Sequence, residues 1–301
     1  MISDKVLIFG GSGFIGSNLL QYYPQALSIS MRSFSEHDHL PPASVFVNLV
    51  GKAHDHAGNA EESEYVEVNV ELAKTIFQLF VCSSAELLIH VSSLAALEET
   101  ESENPLNEVD KSNPISVYGK SKRAAELWLL EQKLPVGKKL IIIRPPMVHG
   151  PGDKGNLGLL YKLVSKGIPY PLASFDNSRS FICIQNFCFF IDQILSKYDL
   201  LESGIYHIAD DEAVSTTQII KIITEVTNKK ILNLSLPRQL IKSIAIIGDY
   251  IPIPLNTKRL KKMTSDLQVS NIKIKTALGI QKLPLTAEEG LRKTILSFKS
   301  H

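Results

Sequence analysis

Val6-Leu7-Ile8-Phe9 runs straight into Gly10-Gly11-Ser12-Gly13-Phe14-Ile15-Gly16, and the reading of this stretch decides the fold. A short, continuous apolar run is the mark of a strand buried on both faces of a parallel sheet. The glycines that follow fit both G-x-G-x-x-G and G-x-x-G-x-x-G, and they open a helix expected from Phe14 to Tyr23, stopped by Pro24. A tight turn in that context lets the backbone approach a pyrophosphate, whose charge rests on the exposed N–H groups and positive end of the helix. The stretch therefore predicts a dinucleotide site built on Gly10, Gly13, Phe14, Ile15 and Gly16.

Working outward, further strands are expected at Leu27–Met31, Val45–Val50, Leu87–Val91 and Leu140–Arg144, with helices at Glu64–Val81 and Val117–Gln132. Strands alternating with helices imply right-handed crossovers and an α/β doubly wound sheet. After Arg144 the texture changes to Pro145, Pro146, Gly150, Pro151 and Gly152, where a second lobe begins. The chain is expected to return to the sheet at Phe181–Ile184 and again at Ile205–Ala209. From Asp210 it reads as a small helical lobe, with Leu267–Leu296 as a short strand, a loop and a terminal helix. The expectation is a Rossmann-type domain of residues 1–145 plus about 179–209, and a smaller C-terminal substrate lobe of about 146–178 plus 210–301.

Composition narrows the function classes. The 301 residues are 44 % apolar and 21 % charged, with 32 Lys plus Arg against 31 Asp plus Glu. That balance suits a globular chain and makes nucleic acid a poor partner. Cys82, Cys183 and Cys188 match no C-x-x-C or zinc spacing, which fits a reducing, cytoplasmic setting. The N-terminus has no signal-peptide layout. Phe181–Leu195 and Leu240–Leu255 are both interrupted by polar residues, so no membrane span is expected, and the second is a candidate for an apolar surface helix. Glu36-His37-Asp38-His39 and His54-Asp55-His56 carry metal-ligand residue types, but short polar loop clusters read as solvated and no metal is expected.

The chemistry lies on later elements. A dinucleotide fold commonly ends its second strand on an acidic residue that holds the ribose hydroxyls. Here Ser28-Ile-Ser-Met-Arg32-Ser33 offers no carboxylate, and Arg32 with Ser33 suits a ribose phosphate, so NADP(H) is favoured and NAD(H) remains open. Tyr118 and Lys122 are four residues apart on a helix and share a face. An ammonium beside a phenol favours phenolate and brings it towards working pH. His90-Val91-Ser92-Ser93 places hydroxyls at a strand's carboxyl end, where open α/β sheets bind ligands.

With these residues in view the chain resembles the extended short-chain dehydrogenase/reductases, in the NAD-dependent epimerase/dehydratase group. The resemblance runs through Gly10–Gly16, Asn48–Gly51, Asn69-Val70, Val91–Ser93, Tyr118–Lys122, Arg144-Pro145, Arg179–Phe181 and Glu289–Leu291. Arg144–Asn156 and Ser178–Phe181 are similar to bacterial enzymes that reduce or epimerise C4 of UDP-linked N-acetylated sugars for surface polysaccharides. The resemblance implies Tyr118 as acid/base on the C4 oxygen, Lys122 tuning it and holding the nicotinamide ribose, and Ser93 bonded to the same oxygen with Ser92 in reserve. It implies cofactor contacts at Gly51 and Asn69, and substrate contacts at Arg179, Asn156 and His54. It also implies a possible homodimer through the helices of the Asn69 and Tyr118 regions.

Three departures from the group's pattern matter. Too few residues separate Arg32 from Val45 for a full strand–helix unit, so one edge strand is expected to be lacking. Leu94-Ala95 stands where dehydratases carry an acidic pair, which argues against dehydration. Leu94 also replaces an epimerase serine, and Met147 stands where some epimerases keep asparagine. The missing ribose carboxylate, the shortened adenine side and Leu94 together favour a 4-ketoreductase over a 4-epimerase with tightly held NAD. A non-catalytic NADP sensor or scaffold is the reading from a different class, opposed by the intact Ser93, Tyr118 and Lys122.

Overall fold

The structure is a computed structural model, and it describes residues 5–35, 39–53, 61–153, 155–167, 175–229, 236–251 and 255–299. β1 (Val6–Phe9), β2 (Leu27–Ile29), β3 (Val45–Asn48), β4 (Leu87–Val91) and β5 (Lys139–Arg144) are strands of one parallel sheet. A sixth strand, β8 (Gly204–His207), pairs with β5, giving the order β2-β1-β3-β4-β5-β8. The helices α1 (Phe14–Tyr22), α2 (Glu62–Val66), α3 (Leu72–Cys82) and α4 (Val117–Glu131) lie between successive strands. Among the described residues no strand lies between Ile29 and Val45, so β2 is the edge of the sheet, as its sequence spacing implies.

Alternate strand residues go to opposite faces, and both faces are buried. Ile8, Val47, Ile89 and Ile141 pack with Leu19 of α1, while Leu7, Phe46, Leu88 and Ile142 pack with Ile76 and Phe80 of α3 and Leu129 of α4. The order reverses between β1 and β3, the place where open sheets of this kind leave a ligand crevice at the strands' carboxyl ends.

The remaining elements depart from the sequence expectation in two places. β6 (Met147–His149) follows β5, and after α5 (Asn156–Ser165) the strand β7 (Phe181–Cys183) pairs with β6 in a separate two-stranded sheet rather than rejoining the main one. The reason is packing: Ile182 enters the main-sheet core while Phe181 enters a second cluster, so β7 is the seam between them. Asp210 fixes that seam, accepting from the Cys183 amide at 3.1 Å and from Asn186 Nδ2 at 2.7 Å. Beyond it come α6 (Ile184–Lys197), which covers the main sheet, and α7 (Thr216–Thr227), α8 (Arg238–Ile247), α9 (Thr257–Thr264), α10 (Ile272–Leu278) and α11 (Ala287–Lys299). The segment expected as a loop before the terminal helix thus holds α10, whose Ile274 and Leu278 join the main core.

One buried ion pair ties the layers together. Glu126 of α4 and Arg144 at the end of β5 are 0 % and 1 % exposed. Arg144 donates from Nε to Glu126 Oε1 at 2.7 Å and from Nη2 to Oε2 at 2.6 Å. The Ser92 hydroxyl, just past β4, donates to Oε1 at 2.6 Å, and Arg123 Nη1 to Oε2 at 3.1 Å. A bidentate guanidinium–carboxylate pair with further donors satisfies a buried carboxylate that would otherwise be costly.

Removing one partner leaves the other charge buried, so Glu126→Leu is expected to lower stability by about 3–5 kcal/mol in urea unfolding. Glu126→Leu combined with Arg144→Leu should recover part of that loss, since the two effects are not independent.

Candidate active site

The glycine loop sits at the crevice as the sequence expects. Gly10 has φ +86°, and a side chain there would fall 2.9 Å from the backbone of Leu49 and Val50 at the end of β3. Only glycine permits that approach. Gly13 is the N-cap of α1 and supplies no side-chain cap, and Phe14 and Ile15 begin the helix partly buried against the main core. The first turn of α1 therefore leaves its N–H groups uncapped by side chains, the donor set that suits a pyrophosphate. Arg32 and Ser33 follow β2 and are both exposed, with the Ser33 hydroxyl 3.4 Å from the Ser30 carbonyl oxygen.

α4 brings the tyrosine to the serine. Ser93 caps a short 3-10 turn (Leu94–Ala96), its hydroxyl accepting from the Ala95 amide at 3.2 Å. Gly119 lets α4 lie against this turn, because a side chain there would meet the Ala95 carbonyl oxygen at 2.5 Å and Glu99 Oε1 at 2.4 Å. Glu99 in turn accepts from the Ile115 and Ser116 amides at 3.0 and 2.8 Å, holding the chain as it enters α4. The result sets the Tyr118 phenol beside the Ser93 hydroxyl.

Burial pushes the Tyr118 phenol above its ordinary 10, the Ser93 hydroxyl beside it pulls it down, and the Glu99 carboxylate raises it further. Lys122 Nζ donates to the Val91 carbonyl oxygen at 3.0 Å, and a side chain on Gly51 would meet it at 2.9 Å. Burial brings the ammonium down to about 8, with Glu126 opposing the shift. Its charge thus faces the end of β3 at Gly51, one step behind the phenol.

Asn69 is more fully engaged than a ligand contact would be. It lies in a π-helical turn (Glu67–Glu71) that interrupts the expected continuous helix, and π-turns commonly mark functional positions. Only 1 % exposed, its Oδ1 accepts from the Lys52 amide at 2.8 Å while Nδ2 donates to the Lys52 carbonyl oxygen and the Ser121 hydroxyl. Asn69 therefore pins the Gly51–Lys52 backbone to α4 instead of standing open to a cofactor. Beside it, Asn48 Oδ1 accepts from the Val50 amide at 2.9 Å, which leaves Nδ2 to donate to His90 Nδ1 at 3.1 Å. Burial and the Lys122 charge hold the His90 imidazole down at about 3, so it is neutral.

The other expected contacts divide. Ser92 points its hydroxyl into the Glu126 network and is 3 % exposed, so it belongs to the scaffold and not to a ligand. Arg179 is neither a surface ion pair nor an unengaged fork: its Nη1 donates to the Thr100 and Ser265 carbonyl oxygens at 3.3 and 3.1 Å and to the Ser265 hydroxyl at 3.2 Å. Those bonds fix the guanidinium against the segment that follows Ser93 and against the end of α9. Asn156 begins α5, and its side chain lies outside the described structure, as do His54 and both histidine clusters save His39. Among the described residues no group of three or more His, Cys, Asp or Glu is placed to hold a metal ion. Glu99, Gly119, Glu126 and Ser121 were not singled out by the sequence reading; Glu126 had one available signal, its i+4 spacing from Lys122.

The comparisons with known proteins agree with this geometry. The profile of the NAD dependent epimerase/dehydratase family matches residues 6–209, from β1 to just beyond β8. The chain is 27 % identical to a UDP-glucose 4-epimerase of Vibrio cholerae, over 98 % of this chain and 95 % of that one. It is 26 % identical, over the same shares, to an N-acetyl-alpha-D-glucosaminyl-diphospho-ditrans,octacis-undecaprenol 4-epimerase of Escherichia coli O157:H7. The solved structure of RMD from Pseudomonas aeruginosa complexed with NADPH shares the fold at a TM-score of 0.73 and 18 % identity, covering 99 % of this chain and 100 % of that one. A glycine-lined crevice at the sheet's switch point, a Ser93–Tyr118 pair beside it and a family match across the whole main sheet lead to one conclusion: the chain belongs to the NAD dependent epimerase/dehydratase family.

Proposed function

We propose that this chain is a nucleotide-sugar 4-ketoreductase, transferring hydride from a nicotinamide cofactor, with NADP(H) preferred, to the C4 carbonyl of a 4-keto-6-deoxy sugar. The observation that carries the reading is the Tyr118 phenol set beside the Ser93 hydroxyl at the carboxyl end of β4, near a glycine cradle suited to a dinucleotide pyrophosphate. When bound, NAD(P)H supplies the hydride that reaches the carbonyl carbon. The Tyr118 hydroxyl gives its proton to the carbonyl oxygen as that oxygen gains charge, and the Ser93 hydroxyl donates a hydrogen bond to the same oxygen. A phenol pushed above 10 keeps its proton at neutral pH, which suits a group whose first act is to protonate. Lys122 presents positive charge at Gly51, where a cofactor ribose would lie, and so favours a developing alkoxide.

Reduction needs a cofactor that leaves after each turnover, and the adenosine side supports that. β2 is the edge of the sheet, Leu27 and Ser28 on it are exposed, and residues 30–35 that follow it carry no carboxylate to hold the ribose hydroxyls. Arg32 and Ser33 stand there instead, chemistry that suits a ribose phosphate. A second reading, a 4-epimerase that retains NAD and returns its hydride to the other face, is favoured by the names of the two full-length relatives. Both readings use the same side chains.

The protein is to be purified without added cofactor, denatured, and its released nucleotide assayed. Recovery of little nucleotide, with tighter uptake of NADPH than NADH, is the reductase outcome; near-stoichiometric NAD instead establishes the epimerase. In the NADPH-consumption assay with a UDP-4-keto-6-deoxy-N-acetylhexosamine, Tyr118→Phe is expected to lower kcat by about 10²–10⁴-fold while cofactor affinity stays within about twofold. Unchanged turnover in that variant excludes Tyr118 as the acid. Gly16→Ala places a methyl 2.4 Å from the Gly10 carbonyl oxygen, and fluorescence titration should show NADPH affinity largely lost. The kcat/KM of the wild type is expected to fall as pH rises through about 8, where Lys122 loses its charge, and to be flat just below it.

A further inference from the structure

Two consecutive residues of α4, Ser121 and Lys122, reach the short backbone segment Gly51–Lys52 that follows β3, and so far only Lys122 has a part in the reaction. Lys122 meets the segment directly at Gly51. Ser121 meets it through Asn69, and that route runs on to the residue that carries the phenol. The Lys52 amide donates to Asn69 Oδ1 at 2.8 Å, and Asn69 Nδ2 donates to the Lys52 carbonyl oxygen at 3.1 Å and to Ser121 Oγ at 2.8 Å. The Ser121 hydroxyl then donates to the Tyr118 carbonyl oxygen at 2.8 Å. The segment over which a cofactor ribose would lie and the first turn of α4 are thus joined by an unbroken line of hydrogen bonds.

Each group in that line has its role fixed. Both Asn69 Nδ2 hydrogens are used, and turning the amide over would set Nδ2 against the Lys52 amide, donor against donor. The Ser121 hydroxyl has one hydrogen, which goes to Tyr118, so its oxygen accepts from Asn69. Asn69 is 1 % and Ser121 4 % exposed, so bulk water does not substitute for either. Asn69 reaches this place from the π-helical turn Glu67–Glu71, a backbone form that is rare and concentrated at functional sites. Beside the link Val70 and Ala73 pack on Ala125, but apolar contact is non-directional, whereas a fully satisfied polar network holds one register.

We propose that Ser121 is a positioning residue of the reaction, holding the Tyr118 phenol at a set distance from a nicotinamide seated by Gly51–Lys52. Its hydroxyl is spent on Asn69 and Tyr118, so it acts through them. Hydride donor, carbonyl carbon and proton donor must be aligned together, and a misplacement of about 1 Å costs on the order of a hundredfold in rate. This role rests on the reading of the crevice as a hydride-transfer site, and it is the same for the reductase and the epimerase because both use the same side chains.

The test is steady-state kinetics of the full chain with UDP-4-keto-6-deoxy-N-acetylhexosamine and NADPH, either unlabelled or deuterated at the transferred position. Rates are expressed per NADPH-binding site, titrated by fluorescence, so that misfolded protein is not counted. Ser121→Ala is expected to lower kcat by about 10–100-fold, with KM and NADPH affinity within about twofold of the wild type. The deuterium isotope effect on kcat should rise, because the hydride step has slowed. Ser121→Cys keeps a weak donor and acceptor at the same place and should fall between the two. If the protein proves to retain NAD, the same variants are compared in C4 epimerisation of a UDP-N-acetylhexosamine deuterated at C4, with the same expectation. A kcat per site that Ser121→Ala leaves unchanged overturns the role, as does a fall in kcat with an isotope effect below the wild type's. Tyr118→Phe separates the two levels of failure: turnover lost in Tyr118→Phe but intact in Ser121→Ala removes the positioning role and leaves the reaction standing. A wild type that moves no hydride in either assay overturns both.

Discussion

The buried Glu126–Arg144 pair is the constraint on which the site's geometry rests. It joins α4, which carries Tyr118 and Lys122, to the ends of β4 and β5, where Ser92 and Ser93 leave the sheet. A carboxylate that is 0 % exposed must have its oxygens filled by donors, and three side chains from two elements and one strand end converge to do so. The rotation of α4 about its axis is thereby fixed. Because Lys122 lies one turn before Glu126 and Tyr118 one turn before that, fixing Glu126 directs all three towards the crevice.

Two closer contacts complete the positioning. Gly119 allows α4 to lie on the 3-10 turn after Ser93, and Asn69 from the π-turn holds Gly51–Lys52 against Ser121 of the same helix. The glycine loop after β1 and the Tyr118 phenol of α4 thus lie at the same end of the sheet, although they come from separate crossovers. The charges then sort by burial: His90 is neutral, Tyr118 keeps its proton, and Lys122 retains its charge up to about pH 8.

The second cluster answers to a different rule. β7 divides its side chains between the two cores, and Asp210 locks it to the end of β8, so the helices of the second cluster hang from a seam that the main sheet controls.

By itself the sequence determined the class of the sheet, the glycine turn after β1, β2 as the sheet's edge among the described residues, and the places of Ser93 after β4 and of Tyr118 and Lys122 on one helix. Each of these is written in a local pattern: an apolar run with period two or less, glycines at fixed spacing, a phenol and an ammonium four residues apart. Tertiary structure alone decided that Ser92 and Asn69 serve the scaffold, that Arg179 is held by carbonyl oxygens from Thr100 and Ser265, and that β7 leaves the main sheet for β6. Those outcomes depend on partners from 17 to 86 residues away in the chain, or on which of two cores a side chain enters. A hydrogen-bonding group in a buried position takes the nearest donor or acceptor that packing supplies, and packing is set only when the elements meet.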